Sequence, residues 1–190
     1  LFTAIFATIS IIEDRREGFL QSVLVAPIPR WSMVLGKVLG GTAIAMFQGL
    51  LFLLLALTIR VDWSVTSLVG VVLMMLVSVL GLTSLGLAIA WRMDSTQGFH
   101  AIMSLLLMPL WLLSGAFFPI PTVDGQSAWH QMALHWTMRV NPVTYCVGGV
   151  RRLLFWQMPQ GDFYTPELST CLLISASFAV KTLSGDGYEF

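Results

Sequence analysis

Charge is what this sequence has least of. Only 11% of its 190 residues are Asp, Glu, Lys or Arg, against roughly 25% in an average soluble domain. Hydrophobic residues make up 56%, a surplus that a soluble fold of this length cannot bury. Ten basic residues balance ten acidic ones, so no excess of one sign points to nucleic acid or to an acidic substrate. Cysteine is scarce too. Cys146 and Cys171 stand alone without a CxxC, which excludes a disulfide scaffold or a zinc framework.

Catalytic and nucleotide-binding patterns are also missing. His100, His130 and His135 are the only histidines, all expected at loops or interfaces. The 130/135 pair is five apart, not the four that stacks two ligands on one helix face. There is no HExxH, and in Gly81-Leu82-Thr83-Ser84-Leu85-Gly86 the serine comes one place late for GxSxG, so Ser84 reads as a helix-packing hydroxyl. Gly36-Lys37 is followed by Val38, and Trp31 stands where a phosphate-binding loop needs its first glycine. No Asp, Glu or His lies in the middle of an apolar run, which argues against a membrane enzyme or a proton-coupled carrier. The chain opens Leu1-Phe2-Thr3, with neither the basic region nor the cleavage site of a signal peptide.

What is present is a set of long apolar runs between short charged clusters, each run near the roughly 20 residues a membrane span needs. The spacing predicts an all-α integral membrane protein. Residues 1–12 are expected to be the end of a span, 38–59, 66–91 and 101–118 full spans, and 164–183 a last one, before a polar tail at 184–190. Pro109 interrupts the fourth of these, and Pro119-Ile120-Pro121 stops it. Residues 121–163 contain Trp129, Trp136, Tyr145 and Trp156, side chains that favour the headgroup level, and are expected to form external interfacial or re-entrant helices. Arg15, Arg16, Arg30 and Lys37 put the segment 13–37 on the cytoplasmic side by the positive-inside rule, with Arg92 and Lys181. Arg60, Arg139, Arg151 and Arg152 then fall outside. Gly36-x-x-x-Gly40 would let another helix approach, within one subunit by default or between two.

The segment Glu13-Asp14-Arg15-Arg16-Glu17-Gly18-Phe19-Leu20-Gln21-Ser22-Val23-Leu24 reads as a short amphipathic helix. Phe19, Leu20, Val23 and Leu24 make an apolar stripe, Glu13 and Arg16 can pair, and Pro27 and Pro29 end it. Such an element can lie on the membrane surface or dock in a partner's groove.

Three runs carry a family resemblance. Asp14 to Leu20, with Val23-Leu24-Val25-Ala26-Pro27, Arg30 and Leu35-Gly36-Lys37, resembles the cytoplasmic loop of ABC-2 type transporter permeases, nearest the daunorubicin-resistance and nodulation-export branch. Leu113-Ser114-Gly115-Ala116-Phe117-Phe118-Pro119 resembles the L-S-G-x-x-F-P that ends that family's fifth span. Asn141-Pro142-Val143-Thr144-Tyr145, then Arg151, resembles its external N-P-x-x-Y and R. The loop acid at Glu17 is one place later than the usual glutamate, and Gly148 stands where an acid is common.

The resemblance implies a single permease domain over 1–183, N-terminally truncated, with the first span and half of the second missing. It implies a bacterial inner-membrane exporter subunit that binds no cofactor or metal, has no catalytic residue and takes its drive from ATP hydrolysed by a partner ABC ATPase. A second permease subunit, in a homodimer, and membrane lipid are the other expected partners, and nucleic acid is not. Residues 13–30 would then be the coupling helix, with the stripe as the centre of the ATPase contact and Glu13, Asp14, Arg15, Arg16, Glu17 and Gly18 around it. The Met- and Phe-rich lining suits an amphiphilic drug, lipid or lipid-linked saccharide. A membrane scaffold that transports nothing is the rival, since the same helices would serve it.

Overall fold

The computed structural model describes residues 2–18, 30–56, 58, 64–118, 120–122, 128–155 and 166–183. The described residues are mostly helical, with no strand element among them. Chain order gives α1 (Phe2–Phe6), a 3-10 turn (Ala7–Ile9), α2 (Ser10–Arg16), α3 (Arg30–Ala56), α4 (Val65–Trp91), α5 (Thr96–Leu112), α6 (Trp129–Val140), α7 (Pro142–Leu154) and α8 (Leu168–Leu183).

α1, the turn and α2 act as one rod, because Phe6, Ile9 and Ser10 all keep right-handed helical angles. The rod stops at Arg16. Gly18 follows with φ +75°, the left-handed position that closes helices and that glycine occupies without a Cβ penalty. The expected helix over 13–24 is therefore corrected: Glu13 to Arg16 are the last turn of the rod, and a break separates them from the apolar stripe. Phe19, Leu20, Val23 and Leu24 lie outside the described residues, as do Gln21, Ser22, Pro27 and Pro29.

Two helices are long and apolar enough to cross a bilayer, Ser32–Ala56 within α3 and Val65–Trp91. Each is only 28% buried in its most apolar window, so neither is the core helix of a soluble protein. α3 leaves Ile44, Phe47, Phe52, Leu54 and Leu55 exposed, a continuous apolar surface that suits hydrocarbon and not water. α3 begins at Arg30, not 38, since the helix runs through the mixed stretch that holds Arg30, Ser32 and Lys37, and it ends at Ala56. α5 is shorter than expected, 96–112 in place of 101–118. It starts where the Ser95 side chain accepts from Gly98 N at 3.3 Å, an N-cap that hydropathy does not register.

The core forms where the rod crosses α3 and α4. Ala4, Ile5, Ile11 and Ile12 are buried with Val38, Leu87, Ala90 and Phe99. A Cβ at Gly86 would sit 2.9 Å from Thr8 Oγ1 and 3.0 Å from Ile5 Cα, so the approach of α1 to α4 requires glycine there. By contrast Gly36 and Gly40 have nothing within 4 Å, so packing of that pair inside the subunit, the default expectation, is not found among the described residues.

α7 runs antiparallel to α4. A Cβ at Gly149 would touch Met74 Cε at 2.7 Å, and one at Gly70 would touch Leu153 Cδ2 at 2.9 Å. Asn141, eight residues before Gly149, therefore lies about 12 Å further toward the Trp91 end of α4, at 1.5 Å per residue. α8 packs on the same helix further down, with Thr182 Oγ1 donating to Gly81 O at 3.4 Å.

Candidate functional site

The charges singled out at 13–17 divide into two groups. Asp14 and Arg15 turn inward and are partly buried, while Glu13, Arg16 and Glu17 are exposed. Lys37, two turns into α3, donates to Asp14 Oδ2 at 2.5 Å and to Ser10 Oγ at 3.0 Å. Arg15 Nη2 donates to the Trp91 carbonyl at 2.6 Å, Nη1 reaches Asp94 Oδ1 at 3.3 Å, and the guanidinium stands 5.5 Å from the Trp91 ring centroid.

Trp91 ends α4, and its carbonyl belongs to the last turn, where helices have unfilled acceptors and favour a cation. The Asp94 carboxylate is 94% exposed, so its pairing with Arg15 adds little. The bonds to Trp91 O and to Lys37 are the substantial ones. Together they clip the end of α2 to the start of α3 and to the end of α4. Asp14 and Arg15 precede residues 19–29 and Lys37 follows them, so both flanks of that segment are held by the same clip. The expected Glu13–Arg16 pair is absent among the described residues, and Lys37 takes Asp14 instead.

Two motifs far apart in sequence meet in space. α5 ends as Leu113 N bonds Pro109 O at 2.9 Å and Ser114 Oγ donates to Trp111 O at 2.6 Å. Gly115 then turns at φ +78°. That turn leaves the Leu110 and Leu113 carbonyls without helical donors. Asn141 Nδ2 supplies Leu110 O at 2.7 Å, while its Oδ1 accepts from Val143 N at 2.9 Å and caps α7, with Pro142 in the first turn. Thr144 Oγ1 reaches Leu113 O at 3.3 Å and Met138 O at 2.6 Å, and Tyr145 Oη donates to Arg139 O at 2.8 Å. His135, expected at a loop or interface, is buried on α6, with Nδ1 2.7 Å from Pro121 O. Its ring ties α6 to the segment after the Gly115 turn, the same junction held by Asn141.

Above this clamp lies a cavity of about 530 Å³ between α3, α4 and α7, its walls including Gln48, Met75, Leu82, Trp111, Val147 and Arg151. Arg151 is the one external-motif residue not used in the clamp; it is exposed and lines the cavity. Gln48 was not singled out from the sequence. Thr3 Oγ1 donates to its Oε1 at 2.5 Å, and the signal available was a lone amide inside the otherwise apolar run 38–56.

Cys146 and Cys171 are free and buried, and among the described residues no group of His, Cys, Asp or Glu could hold a metal ion.

The family model of the ABC-2 type transporter matches residues 1–155. Two curated relatives, from Escherichia coli K12 and O157:H7, both named probable multidrug ABC transporter permease YbhR, are 27% identical over 141 residues, 74% of this chain and 36% of theirs. The chain thus spans about a third of the length of the curated relatives it matches.

Proposed function

This chain belongs to the ABC-2 type transporter family, and from that premise we propose that it is the membrane-spanning part of an ATP-driven exporter of amphiphilic molecules. The observation that carries the proposal is the clip made by Asp14–Lys37 and Arg15–Trp91. A partner that moves residues 19–29 would pull on the ends of α2, α3 and α4 together, which is what rigid-body switching of a helix bundle requires.

The sequence contains no phosphate-binding loop of its own, so ATP hydrolysis belongs to an ABC ATPase domain or subunit. Residues 13–30 are the coupling segment. Its exposed charges Glu13, Arg16 and Glu17 set register against the ATPase, and Phe19, Leu20, Val23 and Leu24 form the apolar centre of the contact. Segment 13–37 faces the cytoplasm of a bacterial inner membrane, and the Leu154 end of α7 faces outward, with the clamp around Asn141 and Tyr145 deeper in the membrane. A second permease subunit, in a homodimer, completes the pathway, and the open face of α3 around Gly36 and Gly40 is available to it. The multidrug name carried by the relatives agrees with an amphiphilic substrate, as does the apolar cavity wall.

The test is replacement of Leu20 and Leu24 together by Asp in the full-length protein. Burying two unpaired carboxylates in the ATPase groove costs on the order of several kcal/mol. The ATPase should no longer co-purify, while the helices still insert. Retention of the ATPase with normal substrate-stimulated hydrolysis would remove the coupling assignment and favour a segment that lies on the membrane surface.

A further inference from the structure

The cavity between α3, α4 and α7 is polarised from one end to the other. Among its described lining residues Arg151 is the only charged one, and no carboxylate among the described residues pairs with it. Gly149 at Met74 and Leu153 at Gly70 bracket Arg151 roughly 10 Å in from the Val65 end of α4, at 1.5 Å per residue. That depth lets its long side chain lift the guanidinium to the interface. Ala45 and Leu82 line the opposite end, with Met75, Val79, Val143 and Val147 along the way. Partway along, the Gln48 amide keeps its N–H donors, since its oxygen is the atom taken by Thr3.

A cation that no described carboxylate neutralises, beside an apolar slot, is a recognition element for an acidic head on a hydrocarbon tail. Volume selects the tail. At roughly 30 Å³ for each water-sized group, 530 Å³ holds about 18 such groups, enough for one acyl chain with its head.

We propose that this cavity binds a single-chain anionic amphiphile, such as a long-chain carboxylate, with its head on Arg151 and its tail directed toward Leu82. The site lies within one subunit. It rests on the exporter assignment only in making such molecules a substrate or effector class, and binding itself needs no ATPase.

The experiment uses the full-length protein in phosphatidylcholine nanodiscs, without ATPase or ATP, and a diazirine analogue of palmitic acid against the same analogue of hexadecanol. Crosslinked peptides are mapped by mass spectrometry. The acid should label segments 45–52 and 147–155, with about tenfold preference over the alcohol from a charge-assisted contact. Arg151→Gln should erase that preference while tail labelling by both probes persists, and Arg151→Lys should keep it. Label confined to the outer surface of α3, or an acid preference that survives Arg151→Gln, overturns the site. Displacement by phosphatidylglycerol added to the disc overturns the single-chain assignment. Intact labelling in a protein that fails ATP-driven export would count against the exporter and leave this site standing.

Discussion

Asn141 makes two different bonds with one side chain, and a substitution can separate them. Its oxygen caps α7 through Val143 N, and its amide nitrogen supplies the Leu110 carbonyl. The residue is 7% exposed, so water cannot substitute freely for either bond. Asn141→Ala removes an N-cap worth about 1 kcal/mol and strands a buried carbonyl at about 1–3 kcal/mol. The expected total is about 2–4 kcal/mol. Asn141→Asp is the discriminating change. Aspartate caps helices as well as asparagine does, but a carboxylate has no N–H for Leu110 O. If the bond to α5 matters as the geometry says, Asp should do no better than Ala. Unfolding in mixed micelles titrated with dodecyl sulfate, followed by tryptophan fluorescence, measures both. An Ala variant within about 0.5 kcal/mol of native, the range of inert surface changes, or an Asp variant of native stability would refute the clamp.

Gly86→Ala should destabilise the subunit by about 1–3 kcal/mol, since its Cβ would meet the Ile5 backbone at 3.0 Å and overpacking carries that cost. Gly36→Ala, with nothing within 4 Å, should leave the unfolding midpoint of the isolated subunit unchanged; equal effects at the two sites would contradict the crossing of α1 with α4. Cysteines introduced at Ser22 and Ser127, both outside the described residues, should react with an impermeant reagent from opposite faces of the membrane, and labelling from one face would overturn the assigned sidedness.

The sequence located the apolar runs well and their helix ends poorly. Hydropathy reports where hydrocarbon begins, whereas a helix can extend beyond it; α3 starts at Arg30 because Lys37 has Asp14 and Ser10 to bond. At the other extreme Leu113 to Phe118 are mostly apolar but not helical, since Gly115 turns the backbone. Gly18 was the legible sign that a helix over 13–24 would break, because a glycine after charged residues is a common C-terminal cap. The L-S-G and N-P-x-x-Y runs could each be recognised alone, but their meeting at Leu110 and Leu113 depends on bonds between residues 31 apart. No periodicity encodes such a bond. The burial of His135 and the pairing of Arg15 with Trp91 O are hidden for the same reason, being set by neighbours that only the fold supplies.

The central claim is that the clip at Asp14 and Lys37 carries movement of residues 19–29 into the helix bundle. Exchanging the charges tests it directly, by substrate-stimulated ATP hydrolysis of the assembled transporter. Asp14→Lys alone and Lys37→Asp alone each place like charges together and should lower stimulated hydrolysis while the ATPase stays bound. The double exchange recreates the pair and should recover much of the loss, the signature of a direct interaction in a double-mutant cycle. Wild-type stimulation in both single variants would contradict the account.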